Sequence, residues 1–207
     1  MTDHVFCRGP TTEAVGVNSL DTPAPADDDP SVQLDIRPES REDEAAIRRV
    51  VRAAFDKHPT VADLVDLIRE SPEFVPELSL IACHSGEVVG HVMLSHAELL
   101  DEIGVPHRIL ALSPLAVAPA LQRRGIGSAL VPAGLAAAEA MGEPLVVLQG
   151  SPGYYPRFGF RDCRTLGIEI DLPDWAPPDA GMAYPMSTYD PSLRGHLIEP
   201  PAFAAVG

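Results

Sequence analysis

The amino-acid sequence predicts an α+β fold, in which a mixed and mainly antiparallel sheet carries helices on both faces. Three observations predict it. Two helices with full apolar stripes come first, a hairpin of long apolar strands follows, and two further apolar strands then enclose a third helix. A chain of 207 residues buries about two-thirds of its unfolded surface, so one core is enough and neither disulfide nor metal is needed to fold it.

Residues 1–31 differ from the rest. They hold Asp3, Asp21, Asp27, Asp28 and Asp29 with Pro10, Pro23, Pro25 and Pro30, show no sustained periodicity, and read as a flexible acidic tail. A partner-binding arm is the alternative reading. The domain is expected over 32–207, including a C-terminal extension. It opens with Val32-Gln-Leu-Asp-Ile-Arg37, whose period-2 alternation predicts a half-buried strand. Ser40 is placed to cap a helix in which Ile47, Val50, Val51, Ala54 and Phe55 form one stripe until Pro59 stops it. Val61, Leu64, Val65 and Ile68 repeat the spacing in a second short helix that ends before Pro72.

Leu78–His84 and Glu87–His96 flank Ser85-Gly86 and predict an antiparallel hairpin. Arg108–Val117 and Pro144–Gln149 are apolar enough to be buried central strands. Between them, Ile126, Leu130 and Met141, with the small Ala133 and Ala137, recur at near-helical spacing and are expected to lie against the sheet.

The turn into that helix carries the chemistry. Gly125 and Gly127 have no Cβ to hold an anion away from the main chain, and they allow positive φ where the turn requires it. The first helical turn adds unpaired N–H donors and a partial positive charge, and Arg123 and Arg124 add full charges beside it. A phosphate diester fits such a place. A dinucleotide-binding fingerprint would need a third glycine where Leu130 stands, and a P-loop would need a Gly-Lys-Ser/Thr run that is absent.

Gln122-Arg123-Arg124-Gly125-Ile126-Gly127 resembles the acetyl-CoA signature of the GNAT acetyltransferase superfamily, Gln/Arg-x-x-Gly-x-Gly/Ala. Tyr155-Pro-Arg-Phe-Gly-Phe160 is similar to that superfamily's Tyr-x-x-x-Gly-Phe element after its fifth strand. Ser113-Pro-Leu-Ala-Val117 and Tyr154–Phe160 together resemble a bacterial subfamily of N-acetyltransferases, and Ala183–Met186 and Pro200–Phe203 are similar to that subfamily's closing strand and aromatic tail. The likeness covers roughly residues 32–205 and implies a GNAT-like acyl-CoA N-acyltransferase fold. It also implies an enzyme that moves the acetyl group of acetyl-CoA, its cosubstrate, to a primary amine of a small molecule or peptide, by direct transfer through a tetrahedral intermediate.

The resemblance assigns roles residue by residue. Leu115, Ala116 and Val117 would offer a strand edge to the pantetheine arm where two central strands diverge. Gln122, Arg123, Arg124, Gly125, Ile126, Gly127 and Ser128 would hold the pyrophosphate. Pro114 and Pro119 bracket the edge without N–H groups of their own, which suits a strand that stops pairing there and suits ordinary strand punctuation equally. The first two helices would roof the acceptor pocket. A donor near Val117 would stabilise the oxyanion. Tyr155, four places before Gly159-Phe160, would protonate the departing sulfur, since a tyrosine O–H can donate a proton yet stays protonated at neutral pH. Tyr154 is its rival. For the general base, Glu98, His96 and His91 stand on or beyond the hairpin strand, ordered water is an equal alternative, and a lone strand histidine is more often held by a backbone partner.

The formal charge of −15 disfavours nucleic acid and anionic membranes and favours basic or neutral amines. No run of about 18 apolar residues is present, nor a basic and apolar leader, so a cytoplasmic location is expected. Cys7, Cys83 and Cys163 are odd in number and lack Cys-x-x-Cys spacing, which fits a reducing compartment. His84, His91 and His96 stand at odd intervals and alternate faces along a strand, so no metal is expected. A homodimer is compatible with these features. Two other classes compete with the enzyme: a non-catalytic acyl-CoA-binding or regulatory module, and a nucleotide- or phosphate-binding protein using the same turn.

Overall fold

The computed structural model describes residues 33–204. The acidic segment 1–31 and Val32 lie outside them. Strand β1 (Asp35–Pro38) leads through a 3₁₀ turn into helix α1 (Glu44–Ala54), followed by α2 (Thr60–Arg69), β2 (Ser79–His84), β3 (Glu87–Leu100) and β4 (Pro106–Val117). Helix α3 (Ile126–Ala140) then precedes β5 (Leu145–Gln149), β6 (Arg161–Asp162), β7 (Ile168–Glu169), β8 (Gly181–Pro185), β9 (Gly195–Ile198) and the single turn α4 (Pro201–Ala204).

The strands form one sheet in the order β1-β2-β3-β4-β5-β8-β6, with β9 beside β3 and β7 beside β9. Among the described residues only β4–β5 and β7–β9 pair in parallel. The fold is therefore the α+β arrangement that the element order predicts.

Each helix is seated by its apolar stripe. On α1 and α2, Ile47, Val50, Val51, Ala54, Val61, Leu64, Val65 and Ile68 are buried, packing with Phe55 against Ile81 and Met93 of the sheet. The Asp43 carboxylate accepts from both the N–H and the hydroxyl of Ser40 at 2.8 and 2.7 Å, fixing the entry to α1. Arg37 of β1 donates to the same carboxylate at 2.7 and 2.9 Å. Pro59 directly precedes α2 instead of merely stopping α1.

Helix α3 covers the opposite face through Ile126, Leu130, Val131, Leu135 and Ala138. Met141, which the sequence spacing assigns to this stripe, is instead 46% exposed, because the helix ends at Ala140 and residue 141 caps it on the solvent side. Gly90 of β3 sets the approach: a Cβ there would lie 2.9 Å from Ile126 and 2.9 Å from Leu130, so only glycine lets the first turns of α3 close onto the strand.

At the C-terminal end, the segment read as a closing strand is β8, paired to β5, whereas Pro200–Phe203 leads into the α4 turn beside α2. Strand β9 takes up the edge of β3 at Glu98, Leu99 and Leu100, beyond the stretch that pairs with β2.

Candidate active site

The site begins with an irregularity in β4. Val92 of β3 pairs with Leu115 and Leu94 with Leu112, so Ser113 and Pro114 together oppose Met93 alone. Such a bulge bends the strand and re-aims the residues after it. Pro114 cannot donate to the ladder, which is why the extra residue falls there. Pairing between β4 and β5 covers only Leu110–Val146 and Ala111–Val147. Beyond that point one edge of β4 has no strand neighbour among the described residues.

Residues Leu115 to Val117 occupy this edge. Ala118 donates its N–H to Val89 of β3 at 2.9 Å. Backbone polar groups alternate sides along a strand, so those of Ala116 also face β3 and those of Leu115 and Val117 face the gap. The Val117 carbonyl is met there by the Gln122 side chain at 3.2 Å.

The loop then turns tightly. Arg123 and Gly125 take positive φ, 62° and 80°, and Gly125 immediately precedes α3. The left-handed geometry at Gly125 favours a residue without Cβ. The first-turn N–H groups of α3, which include those of Ile126, Gly127 and Ser128, come next, and the Arg123 and Arg124 side chains are exposed beside them. Gly127 has a further partner: a Cβ at this position would sit 2.6 Å from the Tyr154 hydroxyl. Its missing side chain makes room for a tyrosine of the second motif.

That motif follows β5. Tyr154 and Tyr155 are both buried, at 5% and 0% exposure, and their rings meet edge to face with centroids 5.0 Å apart. Tyr154 reaches the first turn of α3, and the Arg157 guanidinium covers its ring at 4.2 Å. Tyr155 packs against Gly150 at the end of β5 and against Phe160. The two adjacent tyrosines thus serve different ends of the gap, Tyr154 the turn and Tyr155 the strand end.

The base candidates separate. His91 is fully buried on the α1–α2 face, where its Nε2 lies 3.0 Å from the Ser79 hydroxyl and 3.3 Å from Glu39, so its partners are side chains and not the backbone. Burial pushes the His91 imidazole below its ordinary value against the pull of Glu39. His96 and Glu98 point to the other face, His96 toward Glu143 at 3.2 Å and Glu98 into solvent. His84 contacts the Gln33 carbonyl at 3.2 Å. Among the described residues no three His, Cys, Asp or Glu side chains gather as a metal-binding set. No helix among them is long and apolar enough to cross a membrane.

Sequence reasoning missed a polar strip on the α1–α2 face. Ser95 on β3, Ser113 on β4 and Gln149 on β5 are buried between two apolar clusters, one under α1 and α2 and one under β9. Their signal was a lone polar residue within, or closing, an otherwise apolar strand.

A family model described as an acetyltransferase (GNAT) domain matches residues 35–163. Over 123 residues the chain is 37% identical to the uncharacterized N-acetyltransferase YjhQ of Escherichia coli K12, an overlap of 59% of this chain and 67% of that protein. A GNAT family acetyltransferase from Brucella melitensis, solved with acetyl-CoA, shares 29% identity at a TM-score of 0.67, covering 83% of this chain and 98% of its own. Escherichia coli YhbS, solved with CoA, shares 25% identity at a TM-score of 0.73, covering 86% and 96%.

The chain belongs to the GNAT acetyltransferase family, and it is an acetyl-CoA-dependent acetyltransferase.

Proposed function

We propose that this enzyme transfers acetyl from acetyl-CoA directly to a primary amine of a small molecule or peptide. The observation that carries the reading is the β4 bulge, which leaves the polar backbone of Leu115 and Val117 facing a gap that ends at the left-handed turn before α3. The residues suit the cosubstrate at both ends. Leu115 and Val117 would supply strand edge for an amide-bearing arm, with Ala116 between them turned to β3, and Gln122 to Ser128 would supply N–H donors and positive charge for a pyrophosphate.

Bound acetyl-CoA supplies an activated thioester carbonyl. A strand-edge N–H near Val117 would donate to its oxygen as negative charge develops there. As the C–N bond forms and the C–S bond breaks, Tyr155 would donate a proton to the leaving sulfur, and the proton lost by the attacking nitrogen would pass to water and restore the tyrosine hydroxyl. Its place at the end of β5 supports it over Tyr154, whose hydroxyl lies at the phosphate end of the gap.

Two measurements test this reading. Acetyl-CoA titrated calorimetrically into the protein should bind, and binding should fall at least tenfold in Gly125→Val, because a β-branched residue resists positive φ. Thiol release from acetyl-CoA should then require an added amine. Unchanged acetyl-CoA affinity in that variant, or no amine-dependent thiol release across amino acids, polyamines, aminoglycosides and peptide N-termini, overturns it.

A further inference from the structure

In the polar strip, the Ser95 and Ser113 hydroxyls and the Gln149 Oε1 are buried with no hydrogen-bond partner among the described residues. Their residues are nearly closed to solvent, at 0%, 2% and 6% exposure. The Gln149 amide has one orientation, because its Nε2 donates to the Glu199 carboxylate at 2.9 Å and to the Asp171 main-chain carbonyl at 3.2 Å, and both only accept. Its Oε1 is thereby turned away from them, and a carbonyl oxygen is satisfied only by a donor. A buried oxygen without one is costly, so the place where two such oxygens meet is informative.

That place is where the strands part. The last β4–β5 pair is Ala111 with Val147, and two residues further in the same parallel register Ser113 stands level with Gln149, in the row where the β4 bulge begins. Both side chains share one face of the sheet. Ser113 opposes Met93, which packs under α1 and α2, whereas Leu112 and Leu148, one residue earlier on each strand, pack under α3 with Tyr154 and Tyr155. The gap between β4 and β5 therefore has the two tyrosines and α3 on one side and two unpaired oxygens on the other. Ser95 lies on β3 opposite Ala111, one strand away from the gap.

We infer that the Ser113 hydroxyl and the Gln149 carbonyl receive the two N–H groups of the acceptor's reacting nitrogen, which approaches from the face opposite α3 as an uncharged primary amine. Two oxygens take two N–H groups, and the nitrogen lone pair is left for the thioester carbon. A secondary amine brings one N–H and leaves one oxygen buried and unpaired, so the pair selects primary amines. As the C–N bond forms and the C–S bond breaks, the proton lost by nitrogen passes to water and Tyr155 protonates the sulfur, while Ser113 and Gln149 keep their own protonation. This assignment rests on the acetyl-transfer reading and adds to it the residues that hold and select the nitrogen.

The test uses the full chain, acetyl-CoA and three primary amines, phenethylamine, glycinamide and 1,4-diaminobutane, each beside its N-methyl derivative, with both nitrogens methylated in the diamine. Thiol release from the parent should be at least tenfold more efficient with the best primary amine than with its N-methyl derivative. Ser113→Ala should lower kcat/KM for that amine about tenfold and shrink the primary-over-N-methyl ratio at least threefold. Acetyl-CoA affinity should be unchanged and the melting temperature no lower, because only an unpaired hydroxyl is removed. Ser95→Ala, which removes the same group away from the gap, should turn over as the parent does. Equal turnover of the N-methyl amines by the parent overturns the inference. So does a Ser113→Ala enzyme with parental kinetics, the result if these oxygens hold internal water alone. A Ser113→Ala loss accompanied by weaker acetyl-CoA binding, a lower melting temperature or an unchanged ratio marks a merely structural role and overturns it too. No thiol release from the parent with any of these amines, or with the wider panel above, would instead remove the acetyl-transfer reading and this inference with it.

Discussion

Tyr154, Tyr155 and Gly127 show how single positions divide the work. Tyr155→Phe keeps the ring against Gly150 and Phe160 but removes the proton that the proposed mechanism offers to sulfur, so turnover should fall about 10²- to 10⁴-fold with acetyl-CoA affinity intact. Steady-state kinetics at saturating acetyl-CoA check this, once product release is shown not to limit the rate. Tyr154→Phe is the control: turnover lost there, with Tyr155→Phe active, would move the acid by one residue. At Gly127 the consequence is steric. Valine would press on the Tyr154 hydroxyl, costing about 1–3 kcal/mol of stability and displacing the first turn of α3, so calorimetry should show weakened acetyl-CoA binding as well as a lowered melting temperature.

Among elements, the seating of α2 on the sheet depends on one carboxylate. Glu39 accepts from Arg69 of α2 at 2.6 and 3.1 Å and from Ser79 of β2 at 2.6 Å, with His91 of β3 beside it. Burial alone would raise the Glu39 pKa, but the hydrogen bonds from His91, Arg69 and Ser79 outweigh it and hold the carboxyl at about 2. A depressed folded pKa means stability that is complete above the ordinary carboxylate range, and that drains as pH falls from about 4.5 toward 2. Glu39→Gln should therefore cost about 2–3 kcal/mol near pH 7 and much less near pH 2, flattening the acid limb of a melting-temperature profile. A parallel profile, uniformly shifted, would refute this role.

The helices, the hairpin and the glycine turn were legible because each is specified locally. The stripe Ile47–Val50–Val51–Ala54–Phe55 needs only one helix to declare itself, and Ser85-Gly86 needs only its two flanking strands. The Glu39 cluster joins residues up to 52 positions apart, and the strip at Ser95, Ser113 and Gln149 exists only after three strands are in register. No spacing announces either. Met141 failed as a stripe residue because periodicity continues on paper past the point where the helix stops. Gly90 was invisible for a similar reason, since its role is set by Ile126 and Leu130, and Gly90→Val should push α3 from β3 and weaken acetyl-CoA binding in a calorimetric titration.

For the whole molecule, composition makes a prediction about the segment outside the described residues. Residues 1–31 carry few apolar groups able to join a core, so their removal should barely change the melting temperature, and a large drop would show that they dock. The other end of the chain behaves oppositely. Gly195–Ile198 completes the β3 edge at residues 98–100, and the α4 turn lies beside α2. During synthesis the β4 edge and the turn before α3 emerge long before these segments do, so a nascent chain can assemble the proposed cradle for CoA while β3 still presents an open edge. Strand β9 and the α4 turn are thus a timing element: the strand edge and turn proposed for the acetyl donor can form while the β3 edge is still unpaired.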